Sequence, residues 1–149
     1  TIDYLYSGGM CGIVCWTNES CDLTTYELGR KFVEAGGHNF TDDVSKLATL
    51  VDTSWGPVKC ATGEAVMLGP RSYMKLTARY LILAVSPLSP TNDDDEWDGD
   101  ENQDADALHY LDTGVRAAYR SSFRKIKNTG LEAVGIPTIT TKNTGDTYE

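Results

Sequence analysis

The sequence predicts an α/β fold with a mixed central sheet. Segments of strand character alternate along the chain with segments of helical periodicity, a pattern typical of a sheet covered by helices. One strand candidate, Arg79 to Val85, contains the run YLILAV, which is apolar on both faces as in a strand covered on each side. The length of 149 residues and the hydrophobic content of 40% suit a single domain, residues 1–149, with a substantial core.

The first quarter of the chain is expected to supply an edge strand, a buried strand and a helix. Ile2 to Tyr6 is the candidate edge strand, and Cys11 to Trp16 is short, apolar and rich in β-formers. Thr24 to Glu27 matches a capping box, in which the Thr hydroxyl and the Glu carboxylate each accept from an exposed backbone donor. Gly36 and Gly37 are expected to end that helix.

A second helix is predicted from Thr41, because Asp42 and Asp43 suit the positive N-terminal end of a helix dipole. Trp55-Gly56-Pro57 is expected to end this helix, and Glu64 to Leu68 is expected to form the next strand. The apolar stripe of the second helix would consist of Val44, Leu47, Leu50 and Val51.

Acidic residues concentrate in one loop at about residues 88–104. Nine acids and no base lie between Asp93 and Asp106, and they account for the whole net charge of −9. The mutual repulsion of these acids and the length of the segment predict a flexible loop. A long helix is expected from Ala105 to Lys127, and a last strand from Glu132 to Ile139. The buried face of the long helix would carry Leu108, Leu111, Val115, Ala118 and Ser122.

The composition disfavours several functions. Charge outside the acidic loop is balanced, and the basic residues at 116–127 share a helix face expected to be solvated, so nucleic acid is not an expected partner. No apolar run is long enough to span a bilayer. No metal or cofactor is expected, and the domain is expected to be a monomer. The chain has four cysteines: Cys11, Cys15, Cys21 and Cys60. Their spacing lacks the Cys-x-x-Cys pairs typical of zinc sites, so we expect them to be reduced and buried. We therefore expect the protein to be intracellular.

Three segments resemble the macro domain, the ADP-ribose-binding module. Thr62 to Ala65 (TGEA) and Tyr80 to Pro87 (YLILAVSP) are similar to a family stretch in which TGEA opens a strand and a second apolar strand follows. The run LDTGVRAAYRSSFRKI resembles the family's long helix, and AVGIPTITTKNTG resembles its final strand and phosphate loop. The resemblance implies a three-layer α/β/α fold with a mixed central sheet, and it implies ADP-ribose or an ADP-ribosylated protein as the partner.

The resemblance assigns Asn18 to the position of an asparagine that contacts the distal ribose. A carboxamide suits that role because it donates to and accepts from hydroxyl groups, and an asparagine of a turn at a strand end is the alternative interpretation. Family members that hydrolyse ADP-ribose linkages carry a Gly-Gly-Gly-Val loop after this position. Here only Gly29 lies near the expected place, so half of the family's pocket is rewritten.

The final loop is the best candidate for a ligand site. The family has approximately Ser-Thr-Gly-x-Phe/Tyr-Gly there, and successive backbone N–H groups in such a loop form an anion site. Lys142 replaces a glycine, so it either adds a cation where a diphosphate would lie or blocks the pocket; an unstructured polar terminus is the other reading of this segment. The predicted ligand-binding loop consists of Thr140, Thr141, Lys142, Asn143, Thr144 and Gly145.

Three functions follow from the resemblance. Binding of ADP-ribose or of an ADP-ribosylated partner is the leading hypothesis. The second is hydrolysis of ADP-ribose from a protein or from an O-acetyl ester, for which Asp22, Glu27, Lys142 and Asp146 are conceivable but unassigned. The third is an interaction module without nucleotide binding, favoured by the missing glycine loop and the bulky Trp16. The family's usual domain continues beyond the terminal loop, which implies a shortened or trimmed form.

Overall fold

The computed structural model describes residues 11–87 and 101–137. In chain order it contains β1 (Cys11–Thr17), a 3₁₀ turn (Leu23–Thr25), α1 (Glu27–Ser45), β2 (Val51–Thr53), β3 (Gly56–Val58), β4 (Ala65–Leu68), β5 (Tyr80–Val85), α2 (Glu101–Thr129) and β6 (Ala133–Gly135). Three predicted features lie outside the described residues: the edge strand at 2–6, the acidic segment at 88–100 and the final loop at 140–145.

Four strands form one mixed sheet in the order β4-β5-β1-β6. β1 is parallel to β5 and to β6, whereas β4 is antiparallel to β5. The central pair, β1 and β5, aligns Val14 with Ile82 and Thr17 with Val85. The mixed sheet predicted from the sequence is therefore confirmed.

Helices cover both faces of this sheet. On one face, Ile13 of β1 belongs to the same core cluster as Phe32 of α1. On the opposite face, Val14 of β1 packs in a second cluster with Ile126 of α2. Because successive side chains of a strand point to opposite faces, β5 also contributes to both layers, which explains its unbroken apolar run. The predicted three-layer α/β/α arrangement is confirmed.

The capping box predicted at Thr24 to Glu27 is wrong. The Asp22 carboxylate accepts from the Thr24 N–H at 3.0 Å and so begins the 3₁₀ turn Leu23–Thr25. Helix α1 then begins at Glu27, and its N-cap residue, Tyr26, makes no capping hydrogen bond through its side chain. An aspartate shortly before a threonine competes for the same local backbone donors, and here the aspartate prevails.

Gly37 bends α1 without ending it. Its φ of 62° and ψ of −154° lie in a region that glycine adopts at little cost. Helical geometry resumes at once and continues to Ser45. The prediction of a break at the glycine pair is thus correct in position, but no loop separates it from the segment around Thr41.

The helix ends at Ser45, and of the predicted apolar stripe Val44 and Leu47 pack against the core, whereas the prediction is wrong for Leu50 and Val51. Leu50 and Val51 are 64% and 57% exposed, and β2 pairs antiparallel with β3. A short apolar pattern fits either a helix or a strand. The tight turn before Gly56, whose φ is 120°, selects the hairpin.

Helix α2 is longer than predicted, and β6 is shorter. Residues 101–104, expected to end the acidic loop, are the first residues of α2, which continues to Thr129. Ala118 and Ser122 are buried as predicted, and the Ser122 hydroxyl donates to the Ala118 carbonyl at 2.8 Å. The strand expected at 132–139 is formed by Ala133–Gly135.

Candidate functional site

Strands β1, β5 and β6 run in the same direction, so their carboxyl ends lie at one end of the sheet. We call this end of the sheet the carboxyl edge. Thr17 at the end of β1 lies opposite Val85 at the end of β5. β6 runs in the same direction, with Gly135 opposite Ile13, so Ile136 and Pro137 continue toward this edge. Ligands of open α/β sheets bind at the carboxyl ends of the strands. A ligand site is therefore expected at this edge.

Asn18 lies at the carboxyl edge and organises the turn between β1 and α1. Its Oδ1 accepts from the Asp22 N–H at 2.9 Å, and its Nδ2 donates to the Thr25 hydroxyl at 3.2 Å. Its carbonyl accepts from the Cys21 N–H at 2.9 Å. A carboxamide has two N–H donors and two acceptor lone pairs. One donor and one lone pair of Asn18 therefore remain after the turn is held.

Glu19 fastens the same turn to the chain that follows the hairpin. Its carbonyl accepts from the backbone N–H groups of Lys59 at 2.7 Å and Cys60 at 3.1 Å. Its Oε1 accepts from both the N–H and the hydroxyl of Thr62 at 3.0 Å. Sequence reasoning missed this clamp because its partners are 43 residues apart and no local motif marks them.

Gly29 lies in the first turn of α1 and is buried against the 3₁₀ turn. A Cβ placed on it would lie 2.9 Å from the Leu23 carbonyl carbon and closer still to the Leu23 oxygen. Backbone atoms cannot rotate away from such a contact, so close packing of α1 on Leu23 by itself requires glycine here. A ligand role for Gly29 stays a prediction.

Trp16 links β1 to the chain that leaves β6. Its indole Nε1 donates to the Pro137 carbonyl at 2.7 Å, and its ring meets Tyr119 of α2 edge to face, with centroids 5.1 Å apart. The bulky side chain thus lies on the α2 side of the sheet and fixes the direction in which residue 137 enters the carboxyl edge. The predicted loop Thr140–Gly145 follows Pro137 and lies outside the described residues.

Thr17 is a second group at this edge that sequence reasoning missed. It is 2% exposed, and within the described residues its Oγ1 has no hydrogen-bond partner. An unsatisfied buried hydroxyl costs about 1–3 kcal/mol, so a polar group of this kind is unusual at a position where a valine would fit. It lies directly before Asn18, under the turn.

Two of the acids named as conceivable catalysts, Asp22 and Glu27, contact neighbouring residues. The hydroxyl and N–H of Thr24 both donate to the Asp22 carboxylate, and these hydrogen bonds lower the pKa of Asp22. Glu27 forms an ion pair with Lys31 at 3.1 Å on the exposed face of α1. The lowered pKa makes Asp22 a weaker general base, and Glu27 is held by a neighbouring cation on the outer face of the helix.

None of the four cysteines forms a disulfide, and all four are buried. Burial raises the pKa of the Cys21 thiol to about 11 and that of the Cys60 thiol to about 12. Thiols with such pKa values are protonated near neutral pH and are poor nucleophiles. The expectation of reduced, buried cysteines is confirmed, and all four belong to the core cluster that contains Phe32.

A groove of about 330 Å³ lies at the opposite end of the sheet, next to Met67 and Leu68 of β4. Arg71 at its border is paired with Asp43 at 2.7 Å, and the Tyr73 hydroxyl donates to the same carboxylate at 2.8 Å. These groups satisfy one another and tie α1 to the chain after β4, so we assign them a structural role.

Within residues 11–87 and 101–137, no group of three or more His, Cys, Asp or Glu side chains is placed to hold a metal ion. Among the helices in the same ranges, none has the length and apolarity required to cross a bilayer.

Solved structures with a similar α/β sheet define the fold more closely. The chain is similar to the Oceanobacillus iheyensis macrodomain with MES bound, at a TM-score of 0.61 and 16% identity over 96% of this chain and 64% of that chain. For the same macrodomain with ADP, the TM-score is 0.58 at 17% identity, covering 95% and 63% of the two chains. For a variant of that macrodomain with ADPR, the TM-score is 0.57 at 16% identity, covering 95% of this chain and 64% of that chain.

The chain therefore has the macrodomain fold, as the sequence resemblance predicted. It spans less than two thirds of the length of these structures. No protein-family model and no curated protein matches the sequence. The likeness is thus one of fold, at low sequence identity.

Proposed function

We propose that this chain binds ADP-ribose, either free or attached to a protein, at its carboxyl edge. The observation that carries the proposal is Asn18, a half-buried carboxamide at the end of β1 with one donor and one acceptor position left by its turn. Ribose hydroxyls both donate and accept, so they match this pair of positions. The macrodomain structures with ADP and with ADPR support the choice of ligand.

The diphosphate of this ligand would be held by the loop that follows Pro137. In the proposal, backbone N–H groups and hydroxyls of Thr140, Thr141, Asn143, Thr144 and Gly145 donate to it, and Lys142 contributes a cation. The hydrogen bond between Trp16 and the Pro137 carbonyl supports this arrangement, because it directs the preceding residue toward the edge that carries Asn18.

Binding is favoured over hydrolysis by the state of the nearby acids. Asp22 accepts two hydrogen bonds from Thr24, which lower its pKa, and Glu27 pairs with Lys31, so local partners compete with a water for both carboxylates. Hydrolysis of ADP-ribose linkages is the second candidate, with Lys142 or Asp146 orienting the water. An interaction module without nucleotide binding is the third. The intracellular location and the monomeric state expected from the sequence stay predictions.

Calorimetry with ADP-ribose tests the proposal. We expect Asn18→Ala to weaken binding about tenfold, since the loss of hydrogen bonds to the ligand costs about 1–1.5 kcal/mol. Asn128→Ala is the matched control, because Asn128 is exposed near the end of α2, away from the carboxyl edge. Thermal unfolding of both variants reports whether the turn survives the change. An absence of heat with wild-type protein at millimolar ADP-ribose would refute the proposal.

A further inference from the structure

The β2–β3 hairpin presents an apolar tip to solvent. Trp55 in its turn is 95% exposed, and Leu50 and Val51 at its base are also largely exposed. Tryptophan has the largest apolar surface of any side chain, and it is the residue most enriched among those that dominate binding energy in interfaces. An exposed indole together with two further exposed apolar side chains of the same hairpin has the composition of a contact surface.

The turn that carries Trp55 is ordered by its own hydrogen bonds. The Thr53 hydroxyl donates to the Gly56 carbonyl at 2.8 Å and accepts from the Trp55 N–H at 3.3 Å. Val51 pairs with Val58 across the two strands. An indole on a held turn loses less conformational entropy on binding than one on a loose loop.

The hairpin adjoins the carboxyl edge. A Cβ placed on Gly56 would lie 3.6 Å from the Ser20 hydroxyl, so the hairpin stands against the β1–α1 turn that Asn18 begins. The residues after β3 are held by Glu19, and the Gly63 N–H then donates to the Val85 carbonyl at 2.8 Å. The chain from the hairpin thus runs to β5, on the side of β1 opposite to β6.

We propose that Trp55 contacts the polypeptide that carries the ADP-ribose group, and so selects ADP-ribosylated protein over free ADP-ribose. This inference rests on the proposed function of the carboxyl edge. With the ribose at Asn18, a polypeptide attached to that ribose lies on the hairpin side of the turn, because Ser20 of the same turn is next to Gly56 of the hairpin. Between residues 50 and 58, Asp52 is the only charged side chain, so the tip suits an apolar or weakly charged peptide and not a phosphate.

An adenine stacked on Trp55 is a different arrangement, and the exposure of the indole disfavours it. A nucleobase pocket encloses its ligand from more than one side, whereas Trp55 is open over nearly its whole surface. A peptide that crosses the hairpin tip needs only one such face.

The test compares two probes by calorimetry: ADP-ribose alone, and a peptide of about ten residues that carries ADP-ribose on a central side chain through a non-hydrolysable linkage. We expect the wild-type chain to bind the peptide conjugate about tenfold more tightly than ADP-ribose, as one aromatic contact of this kind provides. Trp55→Ala should remove this difference while the affinity for ADP-ribose stays within about twofold. Trp55→Phe should keep most of the preference.

Tyr110→Ala is the matched control, because Tyr110 is an aromatic residue of α2 with 57% exposure. It should change neither affinity. An equal loss for both probes in Trp55→Ala would overturn the inference and place the indole in the nucleotide pocket, and an unchanged preference would also overturn it. So would concentration-dependent self-association in sedimentation that Trp55→Ala abolishes. Failure of the wild-type chain to bind either probe would instead refute the proposed function itself.

Discussion

Replacement of Gly29 by alanine tests whether this glycine is required by packing. The new Cβ would lie 2.9 Å from the Leu23 carbonyl carbon and 3.2 Å from the Leu23 Cα, both backbone atoms. Alanine favours a helix over glycine by about 1 kcal/mol. Overpacking of a rigid contact costs about 3 kcal/mol at the upper end of its usual range. The net expectation is a loss of about 2 kcal/mol in the free energy of unfolding.

Urea unfolding followed by circular dichroism measures this loss, and a decrease in Tm of about 4–8 °C should accompany it for a chain of this size. Gly130→Ala is the control, since Gly130 has φ of 73° but open space around its Cβ position. It should cost about 1 kcal/mol from backbone strain alone. A Gly29→Ala chain as stable as wild type would refute the packing argument, and weaker ADP-ribose binding at unchanged stability would assign Gly29 to the ligand.

Three further changes address other parts of the molecule. Trp16→Phe removes the hydrogen bond to the Pro137 carbonyl, so it should cost about 1 kcal/mol and weaken ADP-ribose binding severalfold; an unchanged urea midpoint would contradict this. Tyr73→Phe should cost about 2 kcal/mol, because the partly buried Asp43 carboxylate loses a donor, and equal stability would argue against the network. Burial raises the pKa of Cys60 from 9.0 to about 12. Folding therefore favours the protonated thiol, and stability should be complete below pH 9 and decline as pH rises toward 12; Cys60→Ala should make this decline shallower, and an identical slope would refute the assignment.

The pH dependence has this sign because the unfolded chain releases its thiol protons first. Above the ordinary thiol pKa the unfolded state binds fewer protons than the folded state, so each rise in pH favours unfolding. The smaller alanine side chain lowers the free energy of unfolding at every pH, whereas titration of Cys60 changes its slope against pH. Comparison of the two slopes therefore isolates the titration of Cys60. The measurement is the urea midpoint at a series of pH values from 8 to about 11, a range that brackets the ordinary thiol pKa.

The hydrophobic pattern of whole segments predicted the architecture correctly. The apolar run at 80–85 and the alternation of strands and helices both result from burial of the sheet on its two faces. Burial selects apolar residues, so it can be recognised in the sequence. The turns were predicted less well. Asp22, Thr24 and Glu27 all carry groups able to cap a helix, and only their relative positions decide which one does so.

The sequence by itself determined the fold class, the positions of β1, β4 and β5 along the chain, and the place of Asn18 at the end of a strand. Each depends on residues close together in the chain or on hydrophobic periodicity, and both are visible without coordinates. Only the tertiary structure decided that residues 50–58 form a hairpin, that Glu19 clamps Thr62, and that Trp55 stands bare beside the carboxyl edge. These features arise from contacts between distant segments, and their energies depend on geometry that no local pattern encodes.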